Sequence, residues 1–490
     1  MANNHQGKLD HGLKIIEEVA KVSNEAGVRG ALKFQFRHLD TFIHKDYRKA
    51  TQPKHIPRFL GTEMSDEDFS RMASMVKEKG LITIATPFDE ASVDLIETLN
   101  IEIIKIASCS TTDYPLLERI SQAGKPVIIS TGGSNIEQID TAVDFLEQRG
   151  VDFAIMHCVP LYPTAPEDLQ LNQIYSMSKR YPNHVIGWST HEDPDNLNAV
   201  KMAYAKGARI FERHVGVETK DIKLNKYSSR PHQLKAWLEA HKEAVISCGA
   251  DYRPPAREDV TKSLQSLKRG VFANKPIKKG QKLLSNDVFF AMPLLDEKLD
   301  VSKFFDGILA NRDYNANEAL DVELALQKKT TVRDDIIKGV LLEIRGMINN
   351  ARIKVNPESS VELSHHYGIE RLREFGAVIV NCINNDEYCK KYVILLPSQK
   401  HPYHFHKKKK ETFQVLYGTM ELEIDGNVHK LKPGDILDVE RGQWHKFSSG
   451  DGVIFEEVST TSYPNDSFYE DERISLLPRN ERKTYVELKN

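Results

Sequence analysis

Residues 101–108 read "IEIIKIAS". The stretch is almost continuously apolar, as expected of a strand in a parallel sheet covered on both faces. Its one basic residue, Lys105, sits in the middle, where a charge is expensive unless a ligand or partner compensates it. The run then closes on a serine. Six further runs of the same kind surround it: "GALKFQF" (30–36), "LITIATPF" (81–88), "KPVIIST" (125–131), "DFAIMHC" (152–158), "HVIGWST" (184–190) and "ARIFERHV" (208–215). Amphipathic helical stretches alternate with them, which predicts a parallel α/β domain, open or closed.

The polar residues choose between the two. Lys33, Gln35, Thr86, Lys105, Ser108, Ser130, Thr131, His157, His191 and His214 all fall at or near the C-terminal ends of successive runs. A (β/α)8 (TIM) barrel builds its site from many strand ends in this way, whereas an open sheet uses mainly its switch point. Seven runs are visible where a barrel closes with eight. "ANNHQG" (2–7) reads as a tight polar turn feeding a helix in "LDHGLKIIEEVAKVSNEAG" (9–27), because Asn and Gly tolerate positive φ. A first strand is therefore expected just upstream of Met1, with either the start codon internal to a longer reading frame or the chain truncated.

The chain has 490 residues, 40% hydrophobic and 28% charged, enough for two or three domains. A net charge of −3 argues against nucleic acid or an anionic membrane as the main partner. No apolar run approaches the roughly 20 residues of a membrane span. The five cysteines are scattered without a CxxC pair, which fits reduced thiols and a cytoplasmic location. The first region is expected over 1–245. After a linker at 246–262, an accessory β-rich module is expected over 263–323. Over 330–490 a helix in "DDIIKGVLLEIRGMI" (334–348) leads into an all-β tail with "DGN" and "KPGD" turns.

Within the first region, Lys33 and Lys105 can be read as lysines bonded to neighbouring carboxylates. Together with hydroxyls at Thr86, Ser108, Ser130, Thr131 and Ser189 they can equally be read as a pocket for a phosphate plus a carboxylate. His191 and His214, at the ends of consecutive strands, can be hydrogen-bonding core residues or can share one divalent cation.

In this order, "NNHQG", "LKFQ", "ATPF", "IKIAS", "ISTGG", "HCVPLYPT", "IGWSTHE" and "FERHV" closely resemble the sialic acid synthases, and "SLKRGVFANKPIKKGQKL" (266–283) resembles their antifreeze-like (SAF) domain. The resemblance implies condensation of phosphoenolpyruvate with a hexosamine-like aldose to give a nonulosonic acid and phosphate. It implies that Lys33, Thr86, Lys105, Ser108, Ser130 and Ser189 hold phosphoenolpyruvate. Gln35 and Tyr162 would line the pocket, with Asn4 at the substrate. His191 and His214 would hold manganese or magnesium. It also implies a homodimer whose SAF domain contacts the partner's barrel. The chain departs from the family at four places. A strand-one glutamate is absent, Ser110 stands for a second glutamate, Asn225 for an aspartate, and Met292 for the SAF arginine. The acceptor side is thus rewritten, and an aldose other than N-acetylmannosamine is expected.

In the tail, "HPYHFHKKKKETFQVLYG" (401–418) and "PGDILDVERGQWH" (433–445) place His404 and His406 two apart on one strand face, with Glu411 and His445 elsewhere. Three histidines and a carboxylate suit a transition metal. The spacing resembles the two cupin motifs, and with "FEEVSTTSYPNDSFYEDERI" it looks like the D-lyxose-isomerase-like cupins. That implies a ketol-isomerase or epimerase on the sugar, with Glu456 or Glu457 near the metal. The alternative is a metal-free dimerisation module. The lysine run 407–410 reads most simply as a solvated hairpin, the alternative being a patch that attracts a phosphorylated sugar. Two rivals to the synthase stay open: an aldolase or lyase using Lys33 or Lys105 as a Schiff base, and a sugar-binding regulatory protein without turnover.

Overall fold

A computed structural model describes residues 1–49, 55–251, 253–327, 332–356 and 359–487. The chain divides into two compact units, Met1–Pro255 and Ala256–Asn490. Among the described residues no helix is long and apolar enough to cross a membrane.

The first unit is built on seven parallel strands: β1 (Ala31–Phe36), β2 (Ile82–Pro87), β3 (Ile103–Ile106), β4 (Val127–Ser130), β5 (Phe153–Cys158), β6 (Ile186–Thr190) and β7 (Ile210–Arg213). They hydrogen-bond in chain order, each to the next, and helices cover the outer face, as in a TIM barrel. The period of two sorts each strand: Leu32, Phe34 and Phe36 are buried toward the helices, while Lys33 and Gln35 point the other way. Side chains that cap the covering helices mark where each loop ends. Asp89 accepts from the Ser92 N–H, Asp113 from Leu116, and Asn135 forms a capping box with Gln138.

The opening turn is a 3-10 helix, Ala2–His5, followed by Gln6 and Gly7 at φ 57° and 66°. It lies between β1 and β7. The Met1 amine donates to the Lys33 carbonyl at 3.0 Å, and the Asn4 amide donates to the Val215 carbonyl at 2.8 Å and to Ser228 Oγ at 3.1 Å. The helix read at 9–27 runs over Leu9–Ala26 and stops at Gly27, φ 61°. The covering helix Pro231–Cys248 ends inside the stretch read as linker, and a second helix, Glu258–Gln265, begins there.

The second unit opens with a small β-rich module around the hairpin β8 (Gly270–Ala273) and β9 (Val288–Ala291), with its own core of Val271, Leu283, Ile308, Tyr314 and Leu324. After the helix Val332–Asn350 comes a two-sheet jelly roll. Its strands are β10 (Ser360–Ser364), β11 (Ala377–Asn384), β12 (Tyr388–Leu395), β13 (His404–Phe405), β14 (Glu411–Gly418), β15 (Met420–Ile424), β16 (Asn427–Leu431), β17 (Ile436–Val439), β18 (His445–Ser448), β19 (Val453–Thr460), β20 (Phe468–Tyr469) and β21 (Lys483–Glu487). One sheet runs β17-β14-β19-β12-β11-β10-β21 and the other β16-β15-β18-β13-β20. Asp425 and Gly426, both at positive φ, form the two-residue turn between β15 and β16.

Candidate functional site

In the barrel, the two strand lysines converge on one carboxylate that sequence reasoning did not single out. Lys33 Nζ lies 2.5 Å from Glu212 Oε1, Lys105 Nζ lies 3.7 Å from Glu212 Oε2, and Ser189 Oγ donates to the same group at 3.0 Å. Lys105 also donates to Ser130 Oγ. Burial opposes ionisation of Glu212, but the ammonium groups of Lys105 and Lys33 outweigh it and hold the carboxyl well below its usual range. Burial lowers Lys105 to about 8, a shift that the nearby Glu212 partly offsets. Ser108 Oγ accepts the Gly132 N–H at 3.0 Å, and Thr86 Oγ1 is buried with no hydrogen-bond partner. The strand ends thus offer two cations, one anion and several hydroxyls. Glu212 lies in "FERHV", and its inward parity with Ser189 follows from the β6–β7 register.

One turn further out, His191 and His214 stand with ring centres 5.3 Å apart, flanked by Tyr162, 4.3 Å from His191, and Tyr227, 5.1 Å from His214. Burial lowers both histidines, His214 most strongly, so each is a neutral imidazole. His191 Nδ1 sits 3.0 Å from the Val159 carbonyl. That contact makes Nδ1 the protonated nitrogen and leaves the Nε2 lone pair free for a cation. The residues fit a divalent ion with open positions for water or substrate. Other expected pocket residues are engaged locally. Asn4 is bonded to the Val215 carbonyl and Ser228 Oγ, and Gln35 Oε1 accepts from Arg37 at 3.4 Å. Asn225 Oδ1 accepts the Tyr227 N–H at 3.2 Å, and Ser110 Oγ, buried, has Cys109 Sγ at 3.9 Å.

In the jelly roll, His404 on β13 pairs directly with His445 on β18, and one ligand nitrogen of each of His404, His406 and His445 lies within 4.8 Å of the others. Each Nδ1 has a backbone carbonyl partner: Pro402 at 3.0 Å, Asp466 at 2.5 Å and Gln443 at 3.1 Å. All three Nε2 lone pairs therefore face one point. Glu411, from the opposing sheet, brings Oε2 to 3.2 Å from His445 Nε2, and both atoms are buried with no hydrogen-bond partner. Orphaned acceptors aimed at one another cost free energy unless a cation joins them. The donor set fits a transition metal.

Strand parity separates the two glutamates of this region. Glu457 points inward, buried, while Glu456 on the opposite face pairs with Lys390 at 2.6 Å. The lysine run is not a uniformly solvated hairpin, which corrects that reading. Asp466 accepts the backbone N–H groups of Lys407, Lys408 and Lys409, and the resulting turn drives the Lys409 side chain inside. There it bridges Glu411 and Glu457, and the two carboxylates raise it above its usual range despite burial. Asp466 carried no sequence signal beyond its "PND" turn. His366 and His401, missed entirely, adjoin the triad with their Nε2 atoms 3.1 Å apart.

The NeuB family matches residues 19–252 and the cupin domain residues 391–454. A Chromobacterium violaceum crystal structure named for spore coat polysaccharide biosynthesis protein E is 40% identical, covers 66% of this chain and 97% of its own, and superposes with a TM-score of 0.62. An uncharacterised protein of Methanocaldococcus jannaschii is 33% identical over 301 residues, 59% of this chain and 82% of that one. The pseudaminic acid synthase of Campylobacter jejuni is 28% identical over 341 residues, 65% and 93% of the two chains. With its strand-end lysines, hydroxyls and histidines on a seven-stranded barrel-like sheet, the chain belongs to the NeuB family and carries a cupin domain at its C-terminal side.

Proposed function

We propose that the barrel condenses phosphoenolpyruvate with an aldose to form a nonulosonic acid and release phosphate, and that the cupin is a metal site acting on the sugar. The observation that carries the barrel reading is the convergence of Lys33 and Lys105 on Glu212, ringed by Thr86, Ser108, Ser130 and Ser189. Similarity to the pseudaminic acid synthase supports the same reaction class.

Lys33 and Lys105 would bind the phosphate and carboxylate of phosphoenolpyruvate and stabilise phosphate as charge builds on it. The free Thr86 hydroxyl and Ser108 would orient that group. The neutral His191 and His214 would hold the cation, which supplies Lewis-acid polarisation of the acceptor's carbonyl oxygen when bound. Tyr162 and Tyr227 would wall the acceptor beside them. Carbon 3 of phosphoenolpyruvate attacks the aldehyde carbon, water adds at carbon 2, and the tetrahedral intermediate expels phosphate. With Ser110 and Asn225 in place of acidic groups, the acceptor is an aldose that makes no demand for carboxylates there. The chain would act as a homodimer, with the module at 263–323 reaching the partner's barrel. Sedimentation at micromolar concentration tests that arrangement.

The deciding experiment is phosphate release from phosphoenolpyruvate against hexoses, hexosamines and diacetamido sugars. Acceptor-dependent release is expected. Borohydride trapping of a substrate on Lys33 or Lys105, without phosphate release, would instead establish the Schiff-base reading.

A further inference from the structure

One end of the inner face of the large cupin sheet is charged, beside an apolar core of Val393, Phe413 and Phe455. Glu411 on β14, Glu457 on β19, Lys391 on β12, Glu362 on β10 and Lys483 on β21 line one cavity of about 330 Å³, joined by Lys409 and Arg479. Burying that many charges is costly, and replacement by packed apolar residues is often neutral or stabilising. A wall of this kind is better explained by what it binds than by what it stabilises.

The wall has two ends. At one, the histidine triad and Glu411 form the metal centre. At the other, Lys483 Nζ is 2.5 Å from Glu362 Oε1, the Tyr485 hydroxyl donates to Glu362 Oε2 at 2.8 Å, and Arg479 stands off at 3.9 Å. Between them Glu457 is shared by Lys391 at 3.3 Å and Lys409 at 3.0 Å. Four cations thus face three carboxylates along the cavity. A divalent ion at the triad enlarges the surplus, and it draws on Glu411, leaving Lys409 and Lys391 to share Glu457. Arg479, which makes the surplus, is 40% exposed at the mouth of the cavity, so a neutral ligand seated there would strip its water without balancing its charge. An anionic one would balance it.

Resting on the reading of the cupin as a sugar site, we propose that its ligand is an acidic sugar. The hydroxyl or carbonyl end would lie at the metal and the anionic group at Lys483 and Arg479. Asn381 and Ser462 along the wall supply amide and hydroxyl partners for the intervening hydroxyls, and Asn384 fixes Ser462 through two hydrogen bonds to its backbone. The proposed barrel product is itself a sugar acid, so the cavity suits a molecule on either side of that reaction.

Calorimetric titration of the full-length, metal-loaded chain tests this with D-glucose, D-glucuronate, D-glucose 6-phosphate and inorganic phosphate. Glucuronate or the phosphate ester is expected to bind at least about tenfold tighter than glucose, and which of the two binds tighter identifies the anion's source. Arg479→Gln should weaken that ligand about tenfold, whereas Glu362→Gln, which removes the competing carboxylate, should tighten it. Damage to the fold would weaken both, so opposite signs isolate the charge effect. Equal affinity for glucose and glucuronate overturns the proposal. So does an acid preference unchanged in both variants, or inorganic phosphate binding as tightly as the sugar anions. Loss of phosphoenolpyruvate turnover in the barrel would leave all these readings untouched.

Discussion

Glu212→Gln is a sharp test of the barrel site, because two plausible outcomes have opposite signs. If the carboxylate merely repels an incoming anion, removing it should tighten phosphoenolpyruvate binding. The geometry argues otherwise. Glu212 Oε2 is 3.7 Å from the Nζ of Lys105, a buried lysine already lowered to about 8. At an effective dielectric near 20 that attraction amounts to roughly 4 kcal/mol, about three pKa units. Without it, Lys105 would titrate well below its present value and be largely neutral at pH 7. Phosphoenolpyruvate would then have to recruit a proton as it binds, weakening its affinity at least about tenfold at pH 7. In the wild type, Lys105 is charged below its folded pKa and neutral above it, so affinity should decline as pH rises through about 8. In the variant the same decline should start at clearly lower pH. Calorimetric titration with phosphoenolpyruvate from pH 5 to 9, in two buffers of different ionisation enthalpy, reads affinity and proton uptake together. Taking the ratio of variant to wild type at each pH cancels the ligand's own titration. Unchanged or tighter binding at pH 7, or an unshifted pH limb, would refute the assignment of Glu212 as the counter-ion that keeps Lys105 charged.

Three further outcomes are expected. In a His404→Ala/His406→Ala background, adding His191→Ala or His214→Ala should abolish the remaining manganese binding, read by electron paramagnetic resonance, while the circular dichroism spectrum stays that of the wild type. Elemental analysis of the full chain should find a transition metal that is lost in the His404→Ala/His406→Ala double variant but kept in His191→Ala, separating the two centres. The buried Arg213–Glu192 pair, 3.9 Å apart with none of its side-chain polar atoms hydrogen-bonded, should behave as an unfavourable burial of charge. Glu192→Leu alone should cost roughly 3–5 kcal/mol in urea unfolding followed by tryptophan fluorescence, whereas Glu192→Leu with Arg213→Met should be close to neutral.

Much of this protein is local and could be read from residue order alone. Apolar runs such as "IEIIKIAS" bury both faces and so specify parallel strands. Strand-end residues such as Lys33, Lys105 and His191 identify one end of the sheet as chemical, and the HxH spacing with a downstream glutamate specifies a ligand set. The period of two carries these facts without knowledge of any neighbour. Tertiary structure alone decided which charge meets which. Glu212 became the counter-ion of two lysines because β7 returns beside β6 with Ser189 and Glu212 in register. Lys409 turned inward, out of a run of four identical residues, because Asp466 holds three successive backbone N–H groups from a distant loop. Glu457 rather than Glu456 entered the cavity because β19 pairs with β12 in the register that sets Glu457 opposite Lys391. The sign and partner of a buried charge depend on atoms far away in sequence, and only the assembled sheet brings them within the few ångströms over which that interaction is strong.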